Sequence, residues 1–159
     1  MKITVISEAT GTDMFVRIRS WFAPRVKKIA FIDGDQGFRP SLRAYEKFLK
    51  GTETHFVTTN TIPNLVSRIK EINSIRLEGY RTGKEVTDKY IAAGIQKALG
   101  AGYRDVTVIS SDYDFIDIFK MAVRLNPDMS DVVFRMVVPK PKGRICTTQS
   151  TVKIQVVLV

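Results

Sequence analysis

The chain has 159 residues, 44% of them hydrophobic, which is enough to bury a core in one domain and excludes a chain that is disordered throughout. Its 25 Lys and Arg residues outnumber its 16 Asp and Glu residues, and the formal net charge of +9 favours a polyanionic partner such as nucleic acid. The single cysteine, Cys146, excludes an internal disulfide and a cysteine-based metal site, and any Ser-His-Asp scheme depends on the single histidine, His55. We therefore expect one domain spanning residues 1–159.

The apolar stretches of the chain are short. The stretch that follows Met1 is too short for a signal peptide, and no stretch approaches the length of a membrane span. We therefore expect a cytoplasmic protein without a membrane partner.

Strand and helix patterns alternate along the first half of the chain. Short apolar runs predict strands, and apolar residues at helical spacing bounded by Pro or Gly predict helices. In chain order the predicted elements are a strand at 3–6, a helix at 13–22, a strand at 28–33, a helix at 40–49, a strand at 54–59 and a helix at 63–72. The strand at 28–33 is an almost continuous apolar run, which is typical of a strand buried on both faces.

The same alternation continues in the second half. The predicted elements are an edge strand at 74–80, a helix at 87–99, a strand at 106–111, a helix at 114–125, and strands at 132–138 and 152–159. Such alternation predicts a three-layer, Rossmann-like α/β domain with a mostly parallel central sheet. We expect the strands at 28–33 and 106–111 to be adjacent and central, because both read as buried. The terminal strands could pair between chains, so a homo-oligomer is a further expectation.

Two acidic clusters follow the two strands that are predicted to be central. Asp33 and Asp35 end the first strand, and Asp112 and Asp114 follow the second. In parallel α/β sheets the carboxyl ends of the strands open into a crevice where ligands bind. Carboxylates crowded there repel one another unless a cation neutralises them, and oxygen ligands suit Mg²⁺ or Mn²⁺. The sequence therefore predicts a carboxylate metal site.

Asp88 joins these clusters by position. It lies in the first turn of the predicted helix at 87–99 and precedes Ile91 by one turn, so both residues share the face that packs on the sheet. We expect Asp33, Asp88, Asp112 and Asp114 to converge as metal-binding, catalytic residues. Asp35 has three open roles: a further acid in the pocket, a proton donor or acceptor, or a cap of its own turn.

These motifs resemble the NYN branch of the PIN-like nucleases. The resemblance rests on Asp33-Gly34-Asp35, on the stretch from Lys84 to Asp88, and on Ser110-Ser111-Asp112-Tyr113-Asp114-Phe115, and it covers about residues 28–119. It implies a Rossmann-like sheet, three or four metal-binding aspartates, and Mg²⁺- or Mn²⁺-dependent cleavage of RNA phosphodiesters. Gln36 departs from the family, which usually has Asn shortly after the first aspartate.

Residues around the acidic clusters are candidates for substrate binding. Basic residues would hold phosphates, Ser110 and Ser111 would orient the loop, and the side chain of Gln36 would reach the site. The basic candidates are Arg81, Lys84 and Lys89 beside Asp88, with Arg39, Lys140, Lys142 and Arg144 extending the groove.

Two other functions remain open. A haloacid-dehalogenase-type phosphatase would use Asp33 as its nucleophile and Asp35 as its acid and base, with Thr58 or Thr59, Lys84, and Asp112 with Asp117 completing its motifs. The Gln36-Gly37 pair and the lack of an obvious cap insertion argue against this class. The other alternative is a non-catalytic RNA-binding protein that keeps the fold without turnover.

Overall fold

The computed structural model of the protein describes residues 25–36, 45–78, 84–138 and 153–158. The predicted strand at 3–6 and the predicted helix at 13–22 lie outside these residues, as does the first part of the predicted helix at 40–49. Within the described part of the chain, strands and helices alternate as the sequence predicts.

The described residues form a six-stranded, all-parallel sheet at the centre of the fold. Its strands are β1 (Lys27–Asp33), β2 (Glu53–Thr58), β3 (Ile72–Arg76), β4 (Tyr103–Ile109), β5 (Val133–Val138) and β6 (Lys153–Leu158). They are arranged in the order β3-β2-β1-β4-β5-β6. β1 and β4 pair in parallel at the centre, with Ile32 opposite Ile109, which confirms the predicted adjacency of these two strands.

The described helices cover both faces of this sheet. They are α1 (Glu46–Leu49), α2 (Asn64–Ser67), α3 (Lys84–Gly100) and α4 (Asp114–Leu125). Successive residues of a strand point to opposite faces, so Phe31 packs in the core beneath α3 and α4, whereas Ile32 packs in the core beneath α1 and α2. This arrangement confirms the predicted three-layer, Rossmann-like α/β class. In the described residues, no helix combines the length and the apolar character needed to cross a membrane.

The helix predicted at 63–72 is wrong over most of its length. Only Asn64–Ser67 is helical, and Ile72 already begins β3, where it pairs with Thr54 of β2. Pairing with β2 at the edge of the sheet overrides the helical spacing of the apolar residues, as tertiary context often does. The predicted edge strand accordingly starts two residues earlier, at Ile72, and ends at Arg76.

Candidate active site

The carboxyl ends of β1 and β4 form the point where the strand order reverses. The chain builds β2 and β3 on one side of β1 and then crosses to build β4, β5 and β6 on the other side. In open α/β sheets, ligands bind in the crevice at such a switch point. Asp33 is the last residue of β1, and Ser110 directly follows Ile109, the last residue of β4. The two acidic clusters of the sequence therefore flank the crevice.

Asp33 lies at the bottom of this crevice and is only 1% exposed. Its Oδ2 accepts a hydrogen bond from the Ser110 hydroxyl at 2.9 Å, and its Oδ1 accepts one from the backbone N–H of Asp35 at 3.1 Å. Burial raises the pKa of Asp33 from 3.8 to about 6, although these hydrogen bonds lower it in part. The charged form of Asp33 is therefore costly to keep in the absence of a nearby cation.

Ser110 connects Asp33 to the second acidic cluster. The Ser110 hydroxyl oxygen accepts a hydrogen bond from the backbone N–H of Asp112 at 3.0 Å while donating to Asp33. Asp112, 7% exposed, uses its Oδ1 to accept a hydrogen bond from the backbone N–H of Asp114 at 3.0 Å, which stabilises the turn that leads into α4. Asp114 itself is exposed in the first turn of that helix. The loop after β4 is thereby held in one conformation against Asp33.

Asp35 is the centre of a separate hydrogen-bond network. Its carboxylate accepts hydrogen bonds from the Thr58 hydroxyl at 2.6 Å, the Thr59 hydroxyl at 2.7 Å and backbone N–H at 3.0 Å, the Asn60 amide at 3.0 Å and the Thr87 hydroxyl at 2.7 Å. Burial alone would raise the pKa of Asp35, but the hydrogen bonds outweigh it and lower the pKa to about 2. Asp35 is therefore ionised at neutral pH, and it joins the loop after β1, the loop after β2 and the first turn of α3.

Gly34 separates the two aspartates because nothing larger fits. A Cβ at this position would lie 2.7 Å from Cζ of Phe56 and 2.8 Å from Cβ of Thr58, both closer than real Cβ contacts. The backbone of Gly34 also donates a hydrogen bond to the Val57 carbonyl at 2.7 Å, which extends the pairing of β1 with β2 by one residue. This close approach holds the backbone between Asp33 and Asp35 against β2.

The position of Asp88 near the crevice follows from the contact of the preceding residue, Thr87. Thr87, which is bonded to Asp35, fixes the first turn of α3 to the loop after β1, and Asp88 is the next residue. Asp88 is half-buried, and its Oδ1 is hidden from solvent, as is Oδ2 of Asp112. Within the described residues, however, no three acidic, histidine or cysteine side chains come close enough to hold one metal ion. The four-aspartate metal centre stays a prediction.

The predicted substrate-binding residues have different positions. The Ser111 hydroxyl donates to the backbone carbonyl of Gln36 at 2.5 Å, so this serine ties the two acidic loops together. The ammonium of Lys89 is exposed and forms an ion pair with Glu85 at 3.1 Å, one turn earlier on α3. The side chain of Lys84 and the residues Arg39, Arg81, Lys140, Lys142 and Arg144 lie outside the described part of the structure.

Sequence reasoning missed the donors that hold Asp35. Thr58, Thr59 and Asn60 follow one another where β2 ends, and Thr87 lies in the first turn of α3. The available signal was this run of side-chain donors at the carboxyl end of a strand predicted beside β1. In the sequence the two threonines fit only the phosphatase alternative.

Comparison with known proteins does not assign this chain to a family. No protein-family model and no curated protein matches the sequence. Among solved structures, a short-chain dehydrogenase from Leptospira borgpetersenii with bound NAD⁺ is similar, with 9% identity, a TM-score of 0.42, and coverage of 72% of this chain and 52% of that one. A short-chain dehydrogenase/reductase from Burkholderia vietnamiensis has 11% identity, a TM-score of 0.38, and coverage of 72% and 63%. The chain thus spans about half to two thirds of these structures, and at this similarity neither bears on its activity.

Proposed function

We propose that the protein is a metal-dependent nuclease that hydrolyses phosphodiester bonds, most of all in RNA, and that it acts in the cytoplasm. The observation that carries the proposal is the hydrogen-bonded chain from Asp33 through Ser110 to Asp112 at the switch point of the sheet. The resemblance of the acidic motifs to NYN nucleases supports the same function.

The oxygen donors of the crevice fit a hard divalent cation. Mg²⁺ is commonly held by only one or two carboxylates, with waters and substrate phosphates completing its coordination, so a site of this kind needs no cluster of three acids. Asp33 and Asp112 would hold the cation, with Asp88 and Asp114 as further candidates. Because burial disfavours the charged form of Asp33, a cation at this position would stabilise the ionised carboxylate.

In this proposal the protein residues orient the site, and the cation supplies the chemistry of the reaction. Mg²⁺ or Mn²⁺, when bound, provides an activated water and offsets negative charge on the phosphate and the leaving oxygen. Ser110 fixes the orientation of Asp33, and Asp112 stabilises the start of α4. The network around Asp35 holds the loop after β1 rigid, so little reorganisation is needed when substrate binds.

A phosphatase of the haloacid-dehalogenase type is less compatible with this geometry. Its second aspartate must exchange a proton with the leaving group near neutral pH. The pKa of Asp35 is lowered to about 2 by its hydrogen bonds, although burial acts in the opposite direction, so this carboxyl holds no proton to donate at pH 7. The carboxylate is also occupied by donors from Thr58, Thr59 and Thr87.

A non-catalytic nucleic-acid-binding protein is the second candidate. The net charge of +9 favours a polyanion with or without cleavage. The two candidates share the partner and differ in turnover.

The decisive experiment compares the wild type with Asp112→Asn, using Asp128→Asn as a control that removes an exposed aspartate elsewhere. Each protein is incubated with labelled RNA, single-stranded DNA and a generic phosphomonoester, with Mn²⁺, Mg²⁺ or a chelator. We expect RNA cleavage by the wild type and the control only, and only with metal. Release of phosphate from the monoester alone would favour a phosphatase. Binding of RNA without cleavage under every condition would establish the non-catalytic function.

A further inference from the structure

A cavity lies beside the amino ends of β1, β2 and β4, whereas the aspartates lie at the carboxyl ends of the strands. It has a volume of about 480 Å³, and it is bounded by the first residues of β1, β2 and β4 and by the second half of α3. Its lining includes Phe31, Glu53, His55, Tyr90, Lys97 and Tyr103. A cavity of this size accommodates a small ligand. Ile29, which also lines it, precedes Asp33 by four residues along β1, or about 13 Å.

A hydrogen-bonded cluster supplies the polar part of this cavity. Glu53 accepts hydrogen bonds from the Tyr103 hydroxyl on one carboxylate oxygen and from Nε2 of His55, at 2.8 Å, on the other. The Tyr103 hydroxyl, followed by His55, lowers the pKa of Glu53, so the carboxylate is ionised and acts only as an acceptor. Each of its oxygens retains a lone pair for a donor on a ligand.

Aromatic rings supply the apolar part. The rings of Phe31 and His55 are stacked with centroids 5.6 Å apart, and Tyr90, 40% exposed, stands on the α3 side. A Cβ at position 94 would lie 2.8 Å from the Phe31 ring, so Gly94 allows that ring to lie directly against the helix. The exposed ring of Tyr90 favours a flat ligand, because aromatic faces stack over a large area.

Two lysines add positive charge at this cavity. Lys97 lines it from α3. The ammonium of Lys27 lies 5.7 Å from the centroid of the Tyr103 ring and donates to the Ala101 carbonyl at 3.2 Å. An organic cation would be repelled by these lysines, and an aliphatic ligand would offer no donor to the lone pairs of Glu53 that Tyr103 and His55 leave open.

The geometry points to a nucleotide-binding site that is separate from the aspartate crevice and selects bases with an exocyclic amino group. The base stacks on the ring of Tyr90 and donates its amino group to Glu53, and the phosphate faces Lys27 and Lys97. Adenine, guanine and cytosine meet this requirement, whereas uracil lacks the amino group. This site does not depend on the proposed nuclease activity.

The test titrates the full chain with AMP, GMP, CMP, UMP and ribose 5-phosphate in the presence of a chelator. Calorimetry gives the affinities, and amide chemical shifts give the location. We expect the three amino-bearing nucleotides to bind with Kd values below about 1 mM, UMP at least fivefold more weakly, and ribose 5-phosphate not at all. The largest shifts should fall around Gly94 and Tyr103 and not around Ser110.

Variants separate this site from a general attraction of anions. Tyr90→Ala removes an exposed ring, and Glu53→Gln keeps one oxygen as an acceptor for Tyr103; each should weaken GMP binding at least tenfold. Lys120→Ala, which removes an exposed lysine on α4, should leave it unchanged. The proposal is overturned if no nucleotide binds, if ribose 5-phosphate binds as well as GMP, or if the shifts fall at the aspartate crevice.

A final arm identifies the source of the nucleotide. Asp112→Asn is mixed with a short RNA, and GMP is then added. If RNA shifts the amide signals around Gly94, and added GMP then moves them to the positions seen with GMP alone, the two ligands compete for this cavity. That result would assign the site to a residue of an RNA strand. Shifts there with GMP and none with RNA would assign it to a free nucleotide. Either result supports base recognition in this cavity. If the wild type did not cleave RNA, the proposed nuclease activity would be wrong, but the proposal of a nucleotide site would be unaffected.

Discussion

The carboxylate of Asp35 accepts a 2.7 Å hydrogen bond from the hydroxyl of Thr87, 52 residues later in the chain. This contact joins the loop after β1 to the first turn of α3. Asp33 lies two residues before Asp35, and Asp88 directly follows Thr87. The contact therefore connects the backbone segments that carry two of the predicted metal ligands. Asp35 thus contributes to the site by positioning it.

We predict that Asp35→Ala lowers the free energy of unfolding by about 2 to 4 kcal/mol at pH 7, because several donors lose a charged acceptor. The lowered pKa of Asp35, about 2, means that this stabilisation is present above about pH 4 and is lost as the pH falls toward 2. Urea unfolding at pH 7 and pH 2.5 measures both effects. A variant as stable as Asp128→Asn at pH 7 would contradict this role of Asp35.

Asp33→Asn should have the opposite effect on stability. The pKa of Asp33 is raised to about 6 by burial, so the native state binds more protons than the unfolded state between about pH 4 and 6. Stability therefore rises as the pH falls through 6, and the ionised group destabilises the fold above it. The amide retains an acceptor for the Asp35 N–H and can donate to Ser110.

We expect Asp33→Asn to raise the free energy of unfolding by about 2 kcal/mol at pH 7.5 in chelator and to change it little at pH 4. Thermal unfolding at the two pH values gives the comparison. A gain of equal size at both pH values would show that removing the charge is not its cause.

Metal binding should be visible as stability before any cleavage is measured. A ligand that binds only the folded state at a hundred times its Kd stabilises that state by about 2.7 kcal/mol, or roughly 5 to 10 °C for a domain of this size. We expect Mn²⁺ to produce such a shift in the wild type and in Asp128→Asn, and little or none in Asp112→Asn. Equal shifts in all three proteins would place the metal elsewhere.

Gly34→Ala tests the close approach between the two aspartates. The added Cβ would meet the Phe56 ring and Cβ of Thr58 at 2.7 to 2.8 Å, and a buried strand end has little room to move. We expect a loss of about 2 kcal/mol in stability and a fall in any cleavage activity that exceeds the fall in folded protein. Gly100→Ala is the matched control, because a Cβ there meets nothing within 4 Å.

The fold class could be predicted from the sequence more completely than the candidate site. The continuous apolar runs of β1 and β4 predict their central, adjacent positions. The helix predicted at 114–125 matches the bounds of α4, whose Phe115, Phe119 and Ala122 are fully buried on one face. Patterns of this kind are local and follow from burial. The predicted length of α2 is too great, because the pairing of Ile72 with β2 is a contact between separate elements that local spacing does not reveal.

The network of Asp35 was hidden for the same reason. Its side-chain donors follow it by 23 to 52 residues and become neighbours only when β2 and α3 take their places beside β1. Nothing local distinguishes a carboxylate that will be surrounded by hydroxyl donors from one that will face a metal. Asp33 and Asp35 are two residues apart, and yet the pKa of one is raised and that of the other is lowered.

Salt dependence tests the predicted partner. If single-stranded RNA is held through its phosphates, the logarithm of the binding constant should fall linearly with the logarithm of salt concentration, with a slope of about −0.7 for each phosphate neutralised, because each contact releases condensed counterions. Asp112→Asn is used so that the RNA is not cleaved. Lys84→Gln, at the start of α3, should weaken binding and reduce the slope by about one contact, whereas Lys120→Gln on α4 should leave the slope unchanged. An affinity that does not vary with salt would exclude phosphate-mediated binding, and a slope unchanged in Lys84→Gln would place the RNA away from the first turn of α3.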